Sequence, residues 1–290
     1  MINPLIIHGV KFFDNASSCI SQFEKLHWTQ RAISFIQSFG TLFAYGLNKI
    51  SRRLRRVEIQ MAPYTTSANL SKKKLVVCLH GLNENPAQFK KIIDELEKRS
   101  LAETDVYIPR ILQKGNGKLD EMVQPIFENI KKWAKANGEK ELILVGISNG
   151  ARIARAIEAE LTKPGNRENL RKIRFVSIVG ACKGSSLARL AHRFRLSWMM
   201  SKNISEEMPI NSRRNARLDK EWEEGLKNSS ELTRDYIFIA SPHDWQVPNY
   251  CSTLMKIPHY QARYAIIKGH GHISIVNAAA KVVADMINLS

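Results

Sequence analysis

Residues 141–160 read ELILVGISNGARIARAIEAE. From Leu142 to Ile147 the stretch is an apolar, β-rich run of the kind that fills a strand buried on both faces. It stops on Gly146-Ile147-Ser148-Asn149-Gly150 and passes at once into a helix-spaced pattern. A lone serine between two glycines at such a junction has a physical explanation. In a sharp strand-to-helix turn the two backbones come together, so side chains two residues before and after the serine would clash, and the hydroxyl is held up and exposed. A serine hydroxyl is a weak nucleophile. If Ser148 does chemistry, it needs a base, an acid that orients the base, and donors for a developing negative charge.

The same alternation extends outward from this stretch. KLVVCLHGL (74–82), DVYIPRI (105–111), IRFVSIVGA (173–181), DYIFIASP (235–242) and ARYAIIKG (262–269) read as strands, and RVEIQMAP (56–63) as an edge strand. Helical periodicity runs through AQFKKIIDELEKRS after Pro86, LDEMVQPIFENIKKWAKANG (119–138), NGARIARAIEAELTK (149–163) and HISIVNAAAKVVADMINLS (272–290). Near-continuous apolar strands alternating with amphipathic helices imply an α/β fold: a doubly wound, mostly parallel sheet covered on both faces. Residues 183–233 interrupt the rhythm with a basic segment that looks helical in pieces.

In an open parallel sheet, ligands bind where the carboxyl ends of strands lead into loops. Ser148 is at such an end. After the strand 235–242 the string Asp244-Trp245-Gln246-Val247-Pro248 supplies a carboxylate, and after the strand 262–269 the string GHGHIS supplies His270 and His272. With Gly-x-Ser-x-Gly between strand and helix, the chain resembles the α/β-hydrolase superfamily over about residues 70–290, in which that pentapeptide is the nucleophile elbow. The resemblance implies the order nucleophile, acid, histidine, met by Ser148, Asp244 and His272. His272 is favoured over His270 because it opens the apolar run Ile273-Ser274-Ile275-Val276 leading into the last helix. It also implies an oxyanion hole from the backbone N–H groups of Asn149 and of Leu82 in LHGLNENP, with His80 ordering its loop. IVGACKGSSLARLA (178–191) looks like a degraded form of a segment found in lipases and lipase-like esterases. The expected activity is therefore acyl-ester hydrolysis on a small-molecule or lipid substrate, with residues 183–233 as a cap or lid. A thioesterase or lysophospholipase would use the same machinery, and a non-catalytic hydrolase fold could serve as a membrane- or protein-binding module.

The first 55 residues have no counterpart in that resemblance and read as an amphipathic helical extension, leaving 56–290 as the hydrolase domain. Ile33, Phe35, Ile36, Phe39, Leu42, Phe43, Leu47 and Ile50 recur at helical spacing, and Arg52, Arg53, Arg55 and Arg56 follow directly. Such an order suits peripheral contact of residues 29–56 with an anionic membrane. The whole chain is basic as well: 44 Lys and Arg against 27 Asp and Glu leave a formal charge of +17 over 290 residues. That charge attracts polyanions in general, but no zinc-finger spacing, helix-turn-helix or aromatic ribonucleoprotein string accompanies it, so no specific nucleic-acid partner is expected. Cys19, Cys78, Cys182 and Cys251 are scattered without metal-ligand spacing, so neither a metal nor another cofactor is expected. MINPLIIHGVKFF lacks the basic region and cleavage pattern of a secretory signal, which points to a cytoplasmic, peripherally membrane-associated protein.

Overall fold

The computed structural model describes residues 6–24, 68–99, 103–136, 138–193, 201–229, 231–248 and 250–288. Eight strands among them form one sheet: β1 (Ile6–Ile7), β2 (Val10–Phe13), β3 (Lys74–Leu79), β4 (Thr104–Tyr107), β5 (Lys140–Ile147), β6 (Leu170–Ile178), β7 (Thr233–Ala240) and β8 (Gln261–Ile266). Their spatial order is β1-β2-β8-β7-β6-β5-β3-β4. Strands β3 to β8 pair in parallel, while β1 and β2 form an antiparallel hairpin on the β8 edge.

The helices are α1 (Ala16–Glu24), α2 (Lys90–Glu97), α3 (Leu119–Lys135), α4 (Asn149–Leu161), α5 (Ser186–Arg193), α6 (Lys202–Glu207), α7 (Arg213–Asn228), α8 (Tyr250–Thr253) and α9 (Ser274–Asn288). Alternation along the strands sends successive side chains to opposite layers. Leu75, Val77, Leu79, Leu142 and Leu144 pack with residues of α3, α4 and α7, whereas Val76, Cys78, Ile143, Val145 and Ile147 pack with Ile92 and Leu96 of α2 and with α9. Both faces of the sheet are thus covered, as the two-faced apolar strands require. Before α2, Asn85 caps a 3-10 turn over Pro86–Phe89 by accepting from Ala87 N, which explains why the helical pattern begins at that proline.

One expectation is corrected at the N-terminus. Residues 6–13 are not part of a helical extension: Phe12 pairs with Ala265 and Phe13 with Tyr264, so this segment belongs to the edge of the eight-stranded sheet itself. The physical reason is that β8 would otherwise end the sheet with unpaired backbone groups, and Phe12, buried to 1% exposure, packs into the α9-side core. The expected amphipathic helix over 29–50 and the edge strand over 56–63 lie outside the described residues. Among the described residues no helix is long and apolar enough to cross a membrane.

Between β6 and β7 the described part of the interruption consists of α5, α6 and α7. Helix α7 docks on α4 through a buried polar stripe, since Arg152, Arg155 and Glu158 of α4, three residues apart, face it at 0%, 1% and 1% exposure. Arg152 Nε donates to Asn215 Oδ1 (2.7 Å), Arg155 Nη1 to Asp219 Oδ1 (2.5 Å), and Trp222 Nε1 to Glu158 Oε2 (2.9 Å). Tyr236 OH of β7 donates to the other Glu158 oxygen (2.5 Å). Burial pulls Arg152 down to about 10 against the opposing effect of Glu207, and burial pushes the Glu158 carboxyl up despite the bonds from Trp222 and Tyr236.

Candidate active site

Ser148 is the hinge between β5 and α4. Its backbone, at φ 54° and ψ −122°, lies in a region that a non-glycine residue rarely adopts, at a cost of about 1–3 kcal/mol. The turn is secured by main-chain bonds: Ser148 N donates to Ile178 O (3.2 Å), and Ser148 O accepts from Ala151 N (3.1 Å) and Ala181 N (3.0 Å). The glycines are there for space. A Cβ on Gly146 would sit 2.4 Å from Ala151 Cα, and one on Gly150 would sit 1.8 Å from Leu79 O. Gly81, in the neighbouring loop, is less constrained but still close, with its notional Cβ 3.1 Å from Ser148 Cβ.

Asp244 and His272 meet directly. His272 Nδ1 is 2.8 Å from Asp244 Oδ2, both side chains being almost wholly buried. The other carboxylate oxygen accepts from Gln246 N (2.8 Å) and Val247 N (3.3 Å). A carboxylate only accepts, so in this hydrogen bond Nδ1 is the donor. The Asp-x-x-Val-Pro string has its meaning here: the loop folds back so that the amides two and three residues on hold the aspartate's free oxygen. His270 takes a different part, its carbonyl accepting from Ser241 Oγ.

The register brings these loops to one edge. Ile147 of β5 is level with Ile178 of β6, which is level with Ile239 of β7 and in turn with Ala265 of β8. The serine, aspartate and histidine therefore leave the sheet at the same height, Asp244 and His272 after adjacent strands about 4.8 Å apart and Ser148 two strands from β7, across β6. Ser148 Oγ is not hydrogen-bonded to His272 in this arrangement. Catalytic pairs without substrate are commonly loose and tighten on binding.

Around the serine lies the loop after β3. His80 is buried to 1% exposure, and its Nδ1 donates to Gly81 O (2.9 Å). Burial first, then the nearby Lys114 charge, lowers its pKa against the Gly81 bond, which keeps the ring neutral. A neutral ring tied to its own loop orders backbone. Leu82 packs against a small apolar cluster of Ala181, Ala188, Ile204, Met208 and Val247, which joins the loops after β3, β6 and β7 to α5 and α6. Ser185 Oγ, donating to Gln246 O (3.0 Å), fastens the start of that cap to the aspartate loop. Residues 194–200 of the expected cap or lid lie outside the described residues.

Two features escaped the reading of the sequence. The polar stripe of α4 could have been noticed as Arg152, Arg155 and Glu158 at helical spacing, although nothing in one sequence says that such a stripe is buried. The second is the turn Leu112–Asn116, whose residues Gln113, Lys114 and Gly115 are all left-handed and which lies against Gly81 and Leu82. The Gly115-Asn116-Gly117 string was its signal.

A strained serine elbow, an aspartate–histidine pair and a capped parallel sheet define a chain of the α/β-hydrolase fold, and comparison with known structures agrees. A structure from work on the metagenome-derived lipolytic enzymes LipS and LipT matches with a TM-score of 0.51 and 12% identity, over 80% of this chain and 100% of that one. The monoacylglycerol lipase of Paleococcus ferrophilus gives a TM-score of 0.45 at 14% identity, over 80% of this chain and 98% of its own. Est1E of Butyrivibrio proteoclasticus gives 0.47 at 14% identity, over 76% and 91%. No protein-family model matches the chain, and no curated protein matches it in sequence. At 12% identity the likeness to the first of these concerns the fold alone.

Proposed function

We propose that the protein is a serine hydrolase that cleaves acyl esters through an acyl-Ser148 intermediate. The observation that carries this reading is the Asp244–His272 hydrogen bond (2.8 Å) on the same sheet edge as a strained serine elbow. His272 Nε2 takes the Ser148 proton as Oγ attacks the ester carbonyl. Asp244 remains ionised and stabilises the imidazolium. The tetrahedral oxyanion accepts from the backbone N–H groups of Leu82 and Asn149. The intermediate collapses, the C–O bond to the alcohol breaks, and His272 hands its proton to the leaving oxygen. Water then attacks acyl-Ser148, giving its proton to His272, and the carboxylic acid departs as Ser148 Oγ is reprotonated. The same steps with a thiol leaving group describe a thioesterase, and with a lysophospholipid a lysophospholipase.

A fluorophosphonate probe tests the nucleophile. Wild-type protein is expected to carry the adduct on Ser148 by peptide mass spectrometry, and Ser148→Ala to lose both labelling and hydrolysis of short acyl esters. Folded wild-type protein that neither labels nor hydrolyses would replace this reading with that of a binding module built on a hydrolase fold.

A further inference from the structure

In the functional reading above, the two oxyanion donors come from separate loops. Leu82 N–H follows β3, and Asn149 N–H opens α4. A hole made this way works only if something fixes one loop against the other, because donors must sit within a few tenths of an ångström of the developing charge.

The turn Leu112–Asn116 stands between them. Gln113 (φ 50°), Lys114 (φ 54°) and Gly115 (φ 82°) form an uninterrupted left-handed run. Such a run is costly for the two non-glycine residues and persists only when both sides hold it. On one side, Lys114 O accepts from Asn83 N (2.8 Å), and Asn116 Nδ2 donates to Asn83 Oδ1 (3.0 Å). On the other, Gly115 O accepts from Asn149 Nδ2 (3.0 Å). The fit is close enough that a Cβ on Gly115 would lie 3.2 Å from Gly81 O and 3.6 Å from Leu82 Cα.

Asn149 is fully buried, and its Oδ1 has no partner among the described residues. Burying a carboxamide with one end unsatisfied is unfavourable, and an apolar side chain would fill the same space without that cost. The donating end must therefore do something an apolar residue cannot. Resting on the proposed ester hydrolysis, we infer that Asn149 is a positioning residue of the oxyanion hole. Its main-chain N–H is one donor, and its side chain, acting through Gly115 and the left-handed turn, holds the loop that carries the other. The tether continues into the cap, where Ser201 Oγ at the start of α6 donates to Asn116 O (2.8 Å).

The test compares p-nitrophenyl acetate with its thionoester counterpart, in which sulfur replaces the carbonyl oxygen. Sulfur is larger and a poorer acceptor, so the oxygen-to-sulfur ratio of kcat/KM reports the geometry of the hole and is indifferent to general loss of packing. Asn149→Ala is expected to lower kcat on the oxygen ester about tenfold with KM within about twofold, and to lower the ratio by a similar factor. Asn116→Ala, at a half-buried position, is expected to move both in the same direction by a smaller amount. An unchanged ratio in either folded variant of an active enzyme overturns the inference alone, and Asn116→Ala decides the matter if circular dichroism shows Asn149→Ala unfolded. Wild-type protein that cleaves neither ester removes the functional reading and the inference together.

Discussion

At the scale of single residues, the site rests on which atoms have a proton to give. Asp244 spends one oxygen on two amides and the other on His272 Nδ1, so its charge sets both the position of the ring and its tautomer. Asp244→Asn preserves the shape but can offer an amide hydrogen to Nδ1, which places the ring proton on the nitrogen that should accept from Ser148. We expect kcat for ester hydrolysis to fall on the order of 10⁴-fold with stability little changed; a loss of less than about tenfold would mean that the pair does not orient the base. Much of this was legible in the sequence because each group announces itself by a strand end: Gly146 and Gly150 around Ser148, Val247 and Pro248 behind Asp244, Gly271 before His272. Asn149 was legible only as a backbone donor. That its side chain reaches Gly115 depends on a left-handed turn formed 34 residues earlier, which no local pattern encodes.

At the scale of elements, α2 and α9 are joined at one corner by Arg99, just after α2, whose Nε donates to Asp285 Oδ1 (2.8 Å) and whose Nη1 meets Glu95 Oε2 (3.0 Å). His8, in the turn between β1 and β2, shares Asp285. Hydrogen bonds from Lys98 and then Arg99 hold Glu95 down at about 2. Burial pushes Asp285 upward, but the bonds from Arg99 and His8 outweigh it and hold the carboxyl below its ordinary 3.8. Both folded-state values are depressed, so the stabilisation is present above the ordinary carboxylate range and is lost as protons bind on acidification. Thermal midpoints should therefore fall between about pH 4.5 and about pH 2, and Arg99→Met should flatten that slope while lowering the plateau slightly. An identical slope in the variant would assign the acid sensitivity to other carboxylates. The helices and parallel strands themselves were legible from apolar periodicity. The hairpin was not, because Ile6–Phe13 is short and its pairing partner lies about 250 residues away.

At the scale of the whole molecule, the excess of 17 positive charges is not used by any step of the proposed hydrolysis. The proposed membrane contact draws on it through Arg52, Arg53, Arg55 and Arg56, which lie outside the described residues. Removing residues 1–55 would not test this cleanly, because it would also take Val10–Phe13 from the sheet. Replacing the four arginines with glutamine leaves the hairpin in place. Binding to vesicles rich in phosphatidylserine should weaken by about 1 kcal/mol per arginine, roughly fivefold each, while hydrolysis of a soluble ester stays the same. Undiminished binding would move the contact elsewhere on the basic surface.

The hairpin also bears on the order in which the chain can be completed during synthesis. Phe12 pairs across to Ala265, so β2, one of the two earliest described strands, waits for the latest one to be made. A ribosome-bound chain that ends before β8 has no seat for the β1–β2 segment, and Phe12 stays in water or against other apolar surface until β8 emerges. Loop closure over that span is slow compared with the pairing of neighbouring strands. Chains truncated before β8 lack the strand on which β2 pairs.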